Sequence, residues 1–197
     1  MNKFNYNSSL KGSFLVAVPN MLDPRFSRSV IYICSHSKDG SMGIVVNKPA
    51  LNISFKEIIQ QLNLDNTLKK ESYPNVFFGG PVELERGFIL HASEINYMDS
   101  SSLIKNKIYL SSNRDILYDI SKGVGPKKFL LAIGYAGWNS GQLEEEIKQN
   151  SWIELEADED ILFSQASGDK WNSSLKKIGF TDNKNIHANF SNKPGTA

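Results

Sequence analysis

Short apolar runs rich in β-branched and aromatic residues recur along the chain at 13–18 (SFLVAV), 29–34, 42–47, 75–80, 87–92, 107–112, 128–136 and 152–157. Each has the length of one strand and is set off by polar or glycine-containing links, so the pattern predicts eight strands. Helical spacing appears between them. Phe55, Ile58, Ile59 and Leu62 fall on one face of 54–64, and Ile116, Leu117 and Ile120 on one face of 113–123, which ends at Gly123. Leu143 and Ile147 lie one turn apart in LEEEIKQN. The segment 158–166 opens on acidic residues suited to a helix N-terminus, and Trp171, Leu175 and Ile178 precede Gly179, a predicted C-cap.

The first three strands follow one another through short links, and so do the next three, which favours antiparallel pairing over a doubly wound sheet. The predicted class is α+β: a mixed, largely antiparallel sheet with flanking helices. The connection 64–75 is the longest polar one and reads as a surface loop. With 197 residues, 40% of them hydrophobic, the chain suits one domain spanning 1–197. The ends, about 1–11 and 188–197, are poor in apolar residues and predict loosely held segments.

Charge narrows the partners. Lysine and arginine number 22 against 21 acidic residues, so no overall field draws the protein to nucleic acid or an anionic membrane. Nucleic acid is disfavoured as a partner. The single cysteine, Cys34, lies in an apolar run and cannot form an intrachain disulfide, which fits a reducing cytoplasm. The first apolar run stops at Pro19, too short for a membrane span and without an export cleavage site.

No stretch carries a catalytic signature. The nucleophile-elbow, dinucleotide and P-loop spacings are absent, and the three histidines, His36, His91 and His187, show no metal-binding spacing, so neither a metal nor a cofactor is implied. His91 and Ser93 would share a strand face while Glu94 points away, which favours a structural histidine. Cys34 reads as an inert thiol. In NKP, Asn47 and Lys48 stand where a strand becomes a loop: either a strand end stopped by Pro49, or two donors for an anion. In FFGGPVE, Gly79 and Gly80 permit a tight turn, a close approach or a backbone nest, and Pro81 fixes the exit. Arg86 can pair with Glu83, Glu85 or a ligand. Asp23, Arg25 and Arg28 surround Pro24, as an anion clamp or as a self-paired turn.

The stretch GYAGWNSGQLEEEI joins a strand to a helix. With Asn139 as N-cap, Gln142 falls at N3 as in a capping box, and Glu144 to Glu146 complement the helix dipole. Those carboxylates argue against an anion at this end. Trp138, between Gly137 and Gly141, either packs as core or lines a pocket for a neutral or cationic group, a base or a peptide.

Taken with GSFLVAVPNMLDPRFSRSVIYIC, GIVVNKP, FFGGPVE, WIELEAD, GDKWNSSLKKIG and the terminal GTA, this stretch resembles the AlgH/YqgE family of small bacterial proteins, from about Gly12 onward. The resemblance implies a bifurcated sheet folded into a pseudo-barrel, a cytoplasmic location and no established activity, with one branch labelled a transcriptional regulator. No residues here resemble a DNA-binding motif. The leading expectation is a non-catalytic module binding a small molecule or a protein through Asn47, Lys48, Gly79, Gly80, Pro81, Arg86, Gly137, Trp138, Gly141 and Gln142. The alternatives are an enzyme for a phosphorylated or acidic metabolite, using Arg25, Arg28, Arg86 or Lys48 with Glu83 or His91, and a transcriptional regulator.

Overall fold

Runs that are apolar at nearly every position, such as β1 (Ser13–Ala17), belong in a sheet covered on both faces, because a half-exposed strand would leave every second apolar side chain in water. A computed structural model describing residues 9–92, 97 and 101–180 places them so. The remaining strands are β2 (Val30–Ser37), β3 (Gly40–Val45), β4 (Val76–Phe78), β5 (Val82–Ala92), β6 (Ser102–Lys105), β7 (Ile108–Ser111), β8 (Phe129–Asn139) and β9 (Trp152–Glu156). The helices are α1 (Phe55–Gln61), α2 (Arg114–Lys122), α3 (Gln142–Lys148) and α4 (Ser167–Lys177).

The sheet runs β6-β7-β5-β8-β3-β2-β1-β9, antiparallel throughout, and β4 adds to β8 in parallel. It forks at β8. Leu131 to Ile133 pair with β4, whereas Ala136 to Asn139 pair with β3. The whole curls into a half-barrel, an α+β architecture.

Alternate side chains of the strands fill the two faces. The inner face holds Phe14, Val16, Tyr32, Ile44, Phe88 and Leu90, closed by Trp171 and Leu175 of α4 and by Ile161 and Leu162 of a single π-helical turn, Asp160–Ser164. On the outer face α1 and α2 cover Ile89 and Leu131, and α3 lays Leu143 against Ile31, Ile33, Ala136, Trp138 and Trp152. The inner layer contains a buried cation. Lys170 Nζ donates to the Leu162 carbonyl at 2.6 Å and lies 5.5 Å from the centre of the Phe77 ring. Its burial pulls the pKa down to about 8. Cys34 is buried too, and desolvation pushes its thiol well above the ordinary range, in keeping with an inert role.

Local chemistry explains the boundaries. Ser54 and Glu57 form a capping box at α1, Asn113 caps α2 by accepting from Asp115 N–H, and Gly123 ends α2 at φ 75°. Gly179 follows α4 at φ 94°, one position beyond the cap residue Ile178.

Five expectations change. Among the described residues there are nine strands, since SLIK forms β6; Asn106 and Lys107 (φ 52° and 61°) make the two-residue turn joining it to β7. Leu62 is the C-cap of α1 and 37% exposed, not on its buried face. The segment 158–166 forms the π turn instead of a regular helix. Asn139 ends β8 and Gly141 is the N-cap of α3, so Gln142 is its first residue rather than N3. Near the start, Leu10 is buried in the outer layer, so the chain is anchored before Gly12. Residues 1–8, Ser93, Glu94, His187 and 188–197 lie outside the described residues.

Candidate functional site

The glycine corner of FFGGP is a backbone crossing. Where β4 leaves β8, a Cβ on Gly79 would stand 2.2 Å from the Gly134 carbonyl oxygen, and one on Gly80 would stand 2.1 Å from the Tyr135 carbonyl carbon. Gly80 also has φ 151°, and Gly79 N–H donates to the Ile133 carbonyl at 2.8 Å. These glycines are required by packing, and the Gly79 N–H is already engaged.

Asn47 and Lys48 do a related job. Asn47 accepts from Val30 N–H at 2.8 Å through Oδ1 and donates through Nδ2 to the Arg28 carbonyl at 2.8 Å. Lys48 Nζ donates to the Arg25 carbonyl at 2.6 Å. Partial burial lowers the Lys48 pKa, an effect opposed by nearby Asp23. Both side chains therefore brace the loop 19–28 against β2 and β3. Within it Arg25 grips Asp23 through Nε at 3.1 Å and Nη2 at 2.7 Å, and this pairing holds the Asp23 carboxyl below its ordinary range. Arg28 lies over the Trp171 ring at 5.4 Å.

The braced loop forms one wall of a cleft of about 480 Å³ whose opposite wall is α3. Phe26, Arg25 and Asp23 face it from the loop; Gln142 and Glu146 from α3 and Gln149 from its C-cap; Gly137, Trp138 and Trp152 from the sheet; and Pro81 from the β4–β5 link. Four sequence-predicted residues, Pro81, Gly137, Trp138 and Gln142, thus share one cavity.

Trp138 is both core and wall. It is 7% exposed and packs edge-on against Trp152 at 6.2 Å, and Trp152 meets Phe26 at 5.7 Å. A buried indole N–H needs an acceptor. Glu146 supplies it for both: its Oε2 accepts from Trp138 Nε1 at 2.9 Å and from Trp152 Nε1 at 2.8 Å, while Oε1 accepts from Gln142 Nε2 at 2.9 Å. Gln142 Oε1 in turn accepts from Asn139 N–H at 3.0 Å. Glu144, by contrast, faces His36 at 3.3 Å, and His36 meets Ser41 Oγ at 3.3 Å, tying the β2–β3 hairpin to α3.

Sequence reasoning assigned Glu146 to the helix dipole alone. The missed signal is a carboxylate bracketed by two tryptophans, at 138 and 152, in a chain holding three. Phe26 escaped because it is distant in sequence and reaches Trp152 only through the fold.

Arg86 lies elsewhere. It pairs with Glu83 at 3.1 Å, as the sequence allowed, and lies 5.0 Å from the centre of the Phe88 ring, at a second cavity of about 700 Å³ at the mouth of the half-barrel. Glu83 has φ 50° beside a β-bulge and accepts from the Tyr135 hydroxyl at 3.3 Å. The two cavities meet at Val82, Gly137 and Trp138. Gly141 lines neither cavity; its φ of 73° serves the turn into α3. His91 is buried, with Nδ1 3.1 Å from the Ala92 carbonyl oxygen and Nε2 3.1 Å from Ser101 Oγ, and stacks on Tyr109. The cations and acid–base groups of the enzyme alternative are thus divided between the loop 19–28, the half-barrel mouth and the β5–β7 interior. No helix among the described residues is long and apolar enough to cross a membrane.

Known proteins match this chain along nearly all its length. A family model described as AlgH-like matches residues 14–183. A UPF0301 protein of Bradyrhizobium sp. is 45% identical over 181 residues, 89% of this chain and 84% of its own. One from Paracoccus denitrificans is 43% identical, covering 88% of this chain and 92% of its own. Among solved structures, the AlgH protein of Pseudomonas aeruginosa superposes with a TM-score of 0.75 at 33% identity, covering 100% of both chains. A Corynebacterium diphtheriae protein shares the fold, with a TM-score of 0.71 at 22% identity over 90% of each chain. By the extent of the family match and the identity to these relatives, the chain belongs to the AlgH-like family.

Proposed function

We propose that this protein is a cytoplasmic, non-catalytic binding module whose ligand, a small molecule or a segment of another protein, occupies the cleft between the loop 19–28 and α3. Any regulatory role is exerted through that ligand and not through DNA. The observation that carries this is convergence: Pro81, Gly137, Trp138 and Gln142 face one cavity, and Asn47 and Lys48 brace its far wall. Its size and mixture of aromatic and amide groups are those of a ligand pocket. The near-neutral charge of the chain and the buried single thiol agree with a cytoplasmic binder.

The indole N–H signals of ¹⁵N-labelled protein provide the test, because Trp138 and Trp152 face the cleft and Trp171 donates to the Ala17 carbonyl inside the core. In a titration with a set of small organic fragments, binders are expected to shift the Trp138 and Trp152 signals and leave Trp171 in place. Phe26→Ala, which removes the ring that faces Trp152 from the loop wall of the cleft, should abolish those shifts while the protein stays folded. Binders that leave Trp152 in place and map to the half-barrel mouth, or binding unchanged in Phe26→Ala, would overturn the proposal.

A further inference from the structure

The outer cleft contains a charge that nothing in its wall neutralises. Glu146 receives three hydrogen bonds, but all come from neutral groups: two indoles and one amide. The ion pairs among the described residues do not include it. The cations of the opposite wall are directed elsewhere, Arg25 onto Asp23 in a two-point grip and Lys48 onto the Arg25 carbonyl.

We infer that the cleft takes an organic cation, a guanidinium or primary ammonium on an aliphatic stem, with its charged end at Glu146. This rests on the cleft being the binding site. Three features fit that chemistry. The carboxylate is fixed in place before any ligand arrives, since Trp138, Trp152 and Gln142 orient it, so little ordering cost falls on binding. Oε1 has accepted only one hydrogen bond, whereas Oε2 has two, which leaves Oε1 open to a charge-assisted donor. The Phe26 ring and the side chains of Met21 and Leu22, the last 96% exposed, provide an apolar wall for the methylenes of such a stem. An anion would meet Glu146 instead, and a neutral ligand would forgo its charge.

The cation has two possible sources, a free small molecule or an arginine or lysine side chain of a protein, and one experiment separates them. N-acetylarginine amide is titrated against the ¹⁵N-labelled protein, followed at the Trp138 and Trp152 indoles with Trp171 as internal control. N-acetylcitrulline amide serves as the neutral isostere. The arginine compound should bind at least tenfold more tightly than the citrulline one. Glu146→Gln, whose carbonyl can still accept from both indoles, should remove that preference while the Trp171 signal stays put. Tighter binding of an arginine-centred pentapeptide than of the amide assigns the cation to a protein partner, and equal binding assigns it to a small molecule. Equal shifts with arginine and citrulline would overturn the cation inference and leave the cleft standing. No shift of either indole by any probe would remove both.

Discussion

Two glycine-bearing corners, FFGGP and GWNSGQ, look alike in sequence and serve opposite ends. At the first, backbone passes over backbone, and a methyl group on Gly79 or Gly80 would fall within 2.2 Å of β8. At the second, a Cβ on Gly141 would meet nothing within 4 Å, and one on Gly137 would only touch the Tyr135 ring at 3.2 Å. The first corner is closed by the fold; the second is left open beside a cleft. Glycine composition alone therefore marks a place where a side chain is missing, and only the surroundings show whether the space is filled by backbone or available to a ligand.

Substitutions can break this contrast. Gly80→Ala should be the most damaging, at roughly 4 kcal/mol or outright failure to fold, because the strand crossing must open. Urea denaturation measures it, and a loss under about 1 kcal/mol would contradict the backbone crossing.

The same corner has a pH signature through Lys170, which lies over Phe77 of β4. Its folded pKa of about 8 lies below the ordinary lysine value of 10.5. Between those values the folded state binds fewer protons than the unfolded one, so a penalty fully present below pH 8 is relieved as pH rises. Wild type should gain roughly 2 kcal/mol relative to Lys170→Met between pH 7 and pH 10. Parallel stability curves for the two proteins would exclude a desolvated cation there.

At the second corner, Glu146→Ala leaves two buried indole N–H groups without their acceptor and should cost roughly 2 kcal/mol, whereas Glu146→Gln should cost less than about 1. Thermal or chemical denaturation of the pair decides it. Gly141→Ala should lose about 1 kcal/mol from its left-handed φ alone, since no atom crowds the new methyl group. The smallest effect belongs to Gly137→Ala, within about 0.5 kcal/mol in stability by the same denaturation, because the new methyl group meets only the half-buried Tyr135 ring.

Much of the fold was legible because periodicity and caps are local. Phe55, Ile58 and Ile59 announced the buried face of α1, and Gly123 the end of α2. β6 was not, since SLIK has two apolar residues and is held by pairing with β7. The DEDILFSQA segment carries helix-starting acids, yet Ile161 and Leu162 must both reach the inner core, and one π turn met by Lys170 achieves this. Of the site, sequence marked Pro81, Gly137, Trp138 and Gln142, whose residue types are unusual for their surroundings. It could not mark Phe26 and Trp152, brought to Trp138 by tertiary packing, nor separate Glu146 from Glu144 and Glu145, which look identical along the chain but face the tryptophans, His36 and solvent respectively.

The most direct test of the outer cleft as the working site is a crystal structure grown with N-acetylarginine amide. The compound should lie between Phe26 and α3 with its guanidinium within hydrogen-bond distance of Glu146. Density at the half-barrel mouth against Glu83 and Arg86, with the outer cleft empty or closed by the loop 19–28, would contradict the account.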